Sequence, residues 1–198
     1  MASHTLIEKI KNINPILKEG CIVEIGSVRE SIVDSSTKYF NDISKEYGVN
    51  FYSIDFSEYC YGLAKSLIGD KAIFGKGEEQ IKNIKEPISV LYLDNFDVIT
   101  ENNPMHESSL RARIKKFGNA YEKNNVDIET TNILSQQTHL TQSQISLPKL
   151  SKNGIVIFDD TPQLDDGFGG KGALAVPWLV SRGLKILHTQ GSGVLLSK

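Results

Sequence analysis

Five short apolar runs recur along this chain, each closing on or beside an acid: CIVEI (21–25), NFYSID (50–55), AIFGKG (72–77), ISVLYLD (88–94) and GIVIFDD (154–160). They are largely apolar on both faces. Strands of that kind are buried on both sides, as in a parallel sheet covered by helices. The intervening segments supply the helices. SSTKYFNDISKEYG (35–48) opens on cap-type serines and stops at Gly48, and SEYCYGLAKSLIG (57–69) has its own glycine stop. EEQIKNI (78–84) is a short helix, and LIEKIKNINPIL (6–17) has helical spacing that stops near Pro15 and Gly20. A last helix over GALAVPWLVSRG (172–183) leads into LKILHTQ (184–190) and GSGVLLSK (191–198), which read as an antiparallel hairpin on the sheet edge. The pattern predicts an α/β fold: a Rossmann-like, doubly wound, seven-stranded sheet, mostly parallel, with a C-terminal antiparallel hairpin.

The length of 198 residues suits one domain over 1–198. A polar insertion at about 98–134 breaks the rhythm. Its SSLRARIKKFGNAYEKN stretch could be an exposed helix, and the insertion is read either as a lid over a substrate or as a solvated excursion. Arg111, Arg113, Lys115 and Lys116 within it could recruit an anionic acceptor. A net charge of -2 gives no reason to expect nucleic acid or a membrane surface as partner. No apolar run reaches the roughly 20 residues of a membrane span, and the first residues lack a signal-peptide core. A cytoplasmic protein with a small-molecule partner is expected, and homo-oligomerisation stays open. Cys21 and Cys60 are expected to be buried free thiols.

In open α/β sheets ligands bind beyond the carboxyl ends of the strands. Those ends read EIGSVRE, then Asp55, then GKGEE, then DNFD, then DDT. The first turn has one glycine, Gly26, where a dinucleotide fingerprint has three, and there is no G-x-x-x-x-G-K-[ST] loop. A nucleoside-type ligand without phosphates therefore fits better than NAD or ATP. Asp55 closes the second strand, where an acid can accept hydrogen bonds from a ribose diol or cap the next helix.

The succession VEIGS.R, SID, LYLD and GIVIFDDT resembles class I S-adenosylmethionine-dependent methyltransferases over roughly residues 20–198. The resemblance implies S-adenosyl-L-methionine as cofactor. Glu24 and Gly26, with Ser27 beside them, would face its methionine portion. Asp55 would hold the ribose hydroxyls, and Gly75 to Glu78, including Gly77, would border the adenine. Asp94 would also lie along the cofactor. EIGS departs from that family's glycine-rich first motif.

The adjacent carboxylates Asp159 and Asp160 need a further account. If the fourth and fifth strands are neighbours, Asp94 and Asp159 end about 5 Å apart. Asp94, Asp159 and Asp160 could then be three corners of an octahedral site for Mg²⁺ or Mn²⁺, hard ions that take carboxylate oxygens. Alternatively, DDTP is a plain turn. The metal reading resembles the O-methyltransferases that act on catechols and sugars. That likeness implies a metal-dependent O-methyltransferase for a small hydroxylated acceptor, anionic or sugar-derived, with Asp97 as the catalytic acid or base. His139, expected to begin the helix before the fifth strand, is a second candidate base or a fourth ligand. Two competing readings stand: a non-catalytic S-adenosylmethionine-binding protein, and a metal-dependent hydrolase using the same carboxylates.

Overall fold

The computed structural model describes residues 3–29, 31–95, 131–191 and 193–198. Asp97, the four basic residues of the insertion and most of the insertion itself lie outside the described residues. The strands are β1 (Cys21–Ile25), β2 (Phe51–Asp55), β3 (Ala72–Phe74), β4 (Ile88–Leu93) and β5 (Leu150–Phe158), then the two-residue β6 (Gln163–Leu164) and β7 (Gly167–Phe168), then β8 (Lys185–Gln190) and β9 (Gly193–Ser197). Seven of them form one sheet in the order β3-β2-β1-β4-β5-β9-β8. β1 to β5 are mutually parallel where they pair. β9 inserts antiparallel between β5 and β8, so the hairpin's first strand, not its last, is the edge. The chain order reverses between β1 and β4, which creates the crevice where such sheets bind ligands.

Period-two alternation divides the strand side chains between two cores. Ile22, Val90, Tyr92, Ile155 and Ile157 point to one face, where Leu6, Ile7, Leu17 and Phe40 cover them. Val23, Ile25, Leu91, Leu93, Val156 and Phe158 point to the other, under Ile81, Ile84, Ala175, Val176 and Leu179. The covering helices form where the sequence predicts. α2 (Ser36–Tyr47) starts at Ser35, whose hydroxyl accepts from the Lys38 N–H at 3.1 Å, and ends at Gly48. α3 (Glu58–Ile68) is capped in the same way by Ser57.

Three expectations need correction. The N-terminal segment is not one helix stopping at Pro15. It is a 3-10 turn (Ser3–Lys9), a break with Asn12 at φ 58, and a short α1 (Asn14–Leu17) with Pro15 inside its first turn. Proline lacks an N–H that a first turn does not need, so it starts this helix rather than ending one. After α4 (Gly77–Gln80), the helix before β5 is α5 (Thr131–Ser146), and His139 lies mid-helix rather than at its start. The last helix is only α6 (Ala175–Ser181), because Gly170–Gly172 is a separate 3-10 turn. Cys21 and Cys60 are buried and free, and burial pushes the Cys21 thiol up to about 12. Among the described residues no helix is long and apolar enough to cross a membrane.

Candidate active site

At the carboxyl ends of β1, β4 and β5 a cleft of about 340 Å³ is lined by His4, Ser27, Arg29, Tyr92, Asp94 and Asp159. A larger groove of about 650 Å³ lies at the opposite, amino ends of the strands, among Gly20, Asn50, Lys71 and Pro87. It contains none of the predicted site residues, and strand-end chemistry assigns the site to the smaller cleft.

Gly26 ends β1 against the end of β4, beside the cleft residue Ser27. Its φ is +94, and a Cβ there would stand 2.6 Å from the Asp94 carbonyl carbon and oxygen. Only glycine lets the β1 turn pass this close to the end of β4. Beneath it Glu24 is fully buried and does not open onto the cleft. Its carboxylate accepts hydrogen bonds from Ser36 Oγ, Thr37 Oγ1 (2.8 Å) and Ser53 Oγ (2.6 Å). It therefore ties β1 to β2 and to the start of α2. Burial raises its pKa to about 7 against the pull of the three hydroxyls.

Asp55 is tied down by backbone and side chain alike. Oδ2 accepts from Ser27 N (2.8 Å) and Ser27 Oγ (3.0 Å), and Oδ1 accepts from Ser57 N (2.7 Å). The helix cap is Ser57, so Asp55 is not the cap; it aligns the β1 turn against the β2 end. A carboxylate has about four acceptor positions, and three are used here. Gly77 and Glu78 open α4, with Gln142 Nε2 donating to Glu78 Oε2 at 3.3 Å.

The acid cluster forms as the sequence predicts, because β4 and β5 are parallel neighbours with Leu93 opposite Phe158. Carboxylate oxygens of Asp94, Asp159 and Asp160 lie within 4.8 Å of one another. Asp160 has φ 42, a left-handed conformation that few non-glycine residues adopt. Tyr92 Oη donates to Asp159 Oδ2 at 3.2 Å, and Ser3 Oγ donates to Asp159 Oδ1. The Arg29 guanidinium stands 4.0 Å from Asp94 Oδ1.

Lys171 is completely buried among these acids. Its ammonium pairs with Asp94 Oδ1 and, at 2.9 Å, with Asp160 Oδ2. Burial opposes its charge, but Asp94, Asp160 and Asp159 outweigh this and raise its pKa. The acids are pushed apart in turn. Burial lifts Asp94 to about 7 against the pull of Lys171. Asp159 falls below its usual range, because Lys171 and hydrogen bonds from Ser3, the Asp160 amide and Tyr92 outweigh its burial.

His139 is fully buried beside Phe158, with Nδ1 2.6 Å from the Ser135 carbonyl oxygen. Burial, and after it the nearby Lys171 charge, lowers its pKa to about 3, so it is neutral. It does not line the cleft, its Nε2 has no hydrogen-bond partner among the described residues, and it is not one of the clustered candidate ligands Asp94, Asp159 and Asp160, so the fourth-ligand role is corrected on that geometry. Sequence reasoning missed Tyr92, Arg29, Ser3 and His4. Tyr92 had a signal in LYLD, two residues before Asp94 and so on its face of the strand. Ser3 and His4 had none, since only tertiary packing brings the N-terminus here.

The three carboxylates are hard oxygen donors of the kind Mg²⁺ prefers. The space among them is nevertheless held by an ammonium. A unit positive pair 4 Å apart repels by about 4 kcal/mol at an effective dielectric of about 20, and a divalent ion doubles that. As arranged, the residues do not fit a metal. They fit a nucleoside cofactor better. Asn95, whose backbone N lies beside Gly26, and Gln142, whose Nε2 lies beside Gly77, each carry a buried amide oxygen with no hydrogen-bond partner among the described residues.

No protein-family model matches the sequence, and no curated protein matches it. Solved structures do resemble it. The O-methyltransferase NovP superposes with a TM-score of 0.53 at 12% identity, covering 97% of this chain and 80% of that one. CalS11, a calicheamicin methyltransferase, gives 0.53 at 12% identity over 98% and 77%. PigF, solved with SAH, gives 0.51 at 10% identity over 97% and 52%. The chain has the Rossmann-like methyltransferase fold. Within that fold, the crevice at the β1/β4 reversal and the cleft of Asp94 and Asp159 coincide.

Proposed function

We propose that this chain is an S-adenosylmethionine-dependent methyltransferase that methylates a hydroxyl oxygen of a small acceptor. The observation that carries the reading is the open cleft at the β1/β4 reversal, lined by Ser27, Arg29, Asp94 and Asp159, with Asp55 hydrogen-bonded to Ser27 behind it. The kinship in fold with an O-methyltransferase, a calicheamicin methyltransferase and a protein solved with SAH supports it. Asp55 would hold the ribose through its remaining acceptor position. Gly26 and Ser27 would border the methionine portion, and Gly77, Glu78 and Gln142 the adenine. S-adenosylmethionine supplies an electrophilic methyl group when bound.

The protein's task is then to hold an acceptor oxygen in line and take its proton. Asp94 does both. Its side chain is 17% exposed, at the cleft wall, and its pKa of about 7 suits a base working near neutrality. Lys171 and Arg29 orient it. Asp94 must be ionised to accept the proton, so turnover rises as pH passes up through about 7. Mass spectrometry of methyl transfer across a panel of hydroxylated acceptors, repeated from pH 5.5 to 8.5, tests this. Asp94→Asn should lower kcat by roughly 10²- to 10⁴-fold and flatten the profile. A variant that keeps the wild-type profile would show that the base lies elsewhere.

A further inference from the structure

The loop after β5 is built to deliver one side chain. Asp160 turns left-handed, and its carbonyl accepts the Lys171 N–H at 3.0 Å. Thr161 Oγ1 donates to the Asp159 carbonyl at 2.8 Å and accepts the Gly172 N–H at 2.9 Å. The Gly169 N–H reaches the Pro162 carbonyl at 2.9 Å. A Cβ at Gly170 would lie 1.7 Å from the Asp160 carbonyl oxygen, so no side chain can stand there. The β6–β7 ribbon brings the chain back over this turn. The backbone of Asp159 to Thr161 thus fixes that of Gly170 to Gly172, and the Lys171 side chain runs inward with none of its surface exposed.

Its ammonium ends where the acidic residues converge. It contacts Asp94 just beyond β4 and Asp160 beyond β5, from the ends of two different strands, in the position a bridging cation would take. Three carboxylates from two strand ends repel one another unless protonated or met by a positive charge, and the chain supplies such a charge itself.

We propose that Lys171 is the resident cation of this cluster, standing in the place of a divalent metal and fixing Asp94 in position without one. Lys171 is accordingly a positioning residue. The proposal stands on the cluster's geometry, and its test reads metal binding, so it succeeds or fails separately from methyl transfer.

The test is a titration with Mn²⁺ followed by electron paramagnetic resonance, on the chelator-treated wild-type protein and on Lys171→Met, which keeps the length of the stem and removes the charge. Wild type should show no stoichiometric site at micromolar Mn²⁺. Lys171→Met should gain one, at least tenfold tighter than any wild-type binding, and Asp160→Asn in that background should abolish it. Mn²⁺ should raise the melting temperature of Lys171→Met and leave that of wild type unchanged. A stoichiometric micromolar site in wild type that Asp160→Asn removes would overturn the proposal. So would a folded Lys171→Met that gains no site. Should Lys171→Met fail to fold with or without Mn²⁺, the wild-type titration decides alone: a site there refutes the proposal and its absence supports it.

Discussion

The two halves of the sheet bury their carboxylates by opposite means. In the β1–β2 half, Glu24 and Asp55 are met by neutral donors: three hydroxyls for the first, and two backbone amides with a hydroxyl for the second. In the β4–β5 half, Asp94 and Asp160 are met by a full charge on Lys171. Neutral donors leave a buried acid only partly compensated, so Glu24 rises to about 7. Burial leaves Asp94 near 7 in spite of its contact with Lys171, whereas Asp159 is held below its usual range because hydrogen bonds from Ser3, Tyr92 and the Asp160 amide add to the pull of the ammonium. The first half is a rigid frame. The second separates its acids into one that stays ionised and one poised to exchange a proton.

Removing the charge should break this contrast with the largest effect. Lys171→Met leaves buried carboxylates without their partner, and losing one member of a buried pair costs about 3–5 kcal/mol. Urea denaturation in metal-free buffer should show that loss, whereas a change under 1 kcal/mol would mean that the acids are served by water instead. The frame half should respond to pH more gently. Glu24 has a folded pKa of about 7, above its ordinary value of 4.5. Its protonated form is favoured by folding, so its contribution is intact below pH 4.5 and is lost as pH rises through about 7. The full loss is on the order of 3 kcal/mol. Glu24→Gln should flatten the fall in stability between pH 5 and 8, read from urea midpoints at each pH. An unchanged slope would place the titration in another group.

The same contrast explains what was legible in the sequence. The five parallel strands, the caps at Ser35 and Ser57 and the meeting of Asp94 with Asp159 follow from local pattern and strand order. Pro15 was ambiguous because a proline can open a helix as well as close one. His139 was misplaced because nothing in the polar stretch before it marks where α5 begins. Lys171 carried no local signal: FGGKG has the composition of a flexible linker, and its order comes from the left-handed turn at Asp160, eleven residues before Lys171. Charge pairing of that kind is written in tertiary geometry, not in spacing.

The account rests above all on a cofactor bound in the cleft at Asp94, with Asp55 behind Ser27 holding its ribose. Isothermal titration of S-adenosylhomocysteine into chelator-treated protein tests it most directly. One equivalent should bind without added metal, and Asp55→Ala, still folded by circular dichroism, should weaken that binding at least tenfold. Absence of binding to the wild-type protein, or full binding to Asp55→Ala, would contradict it.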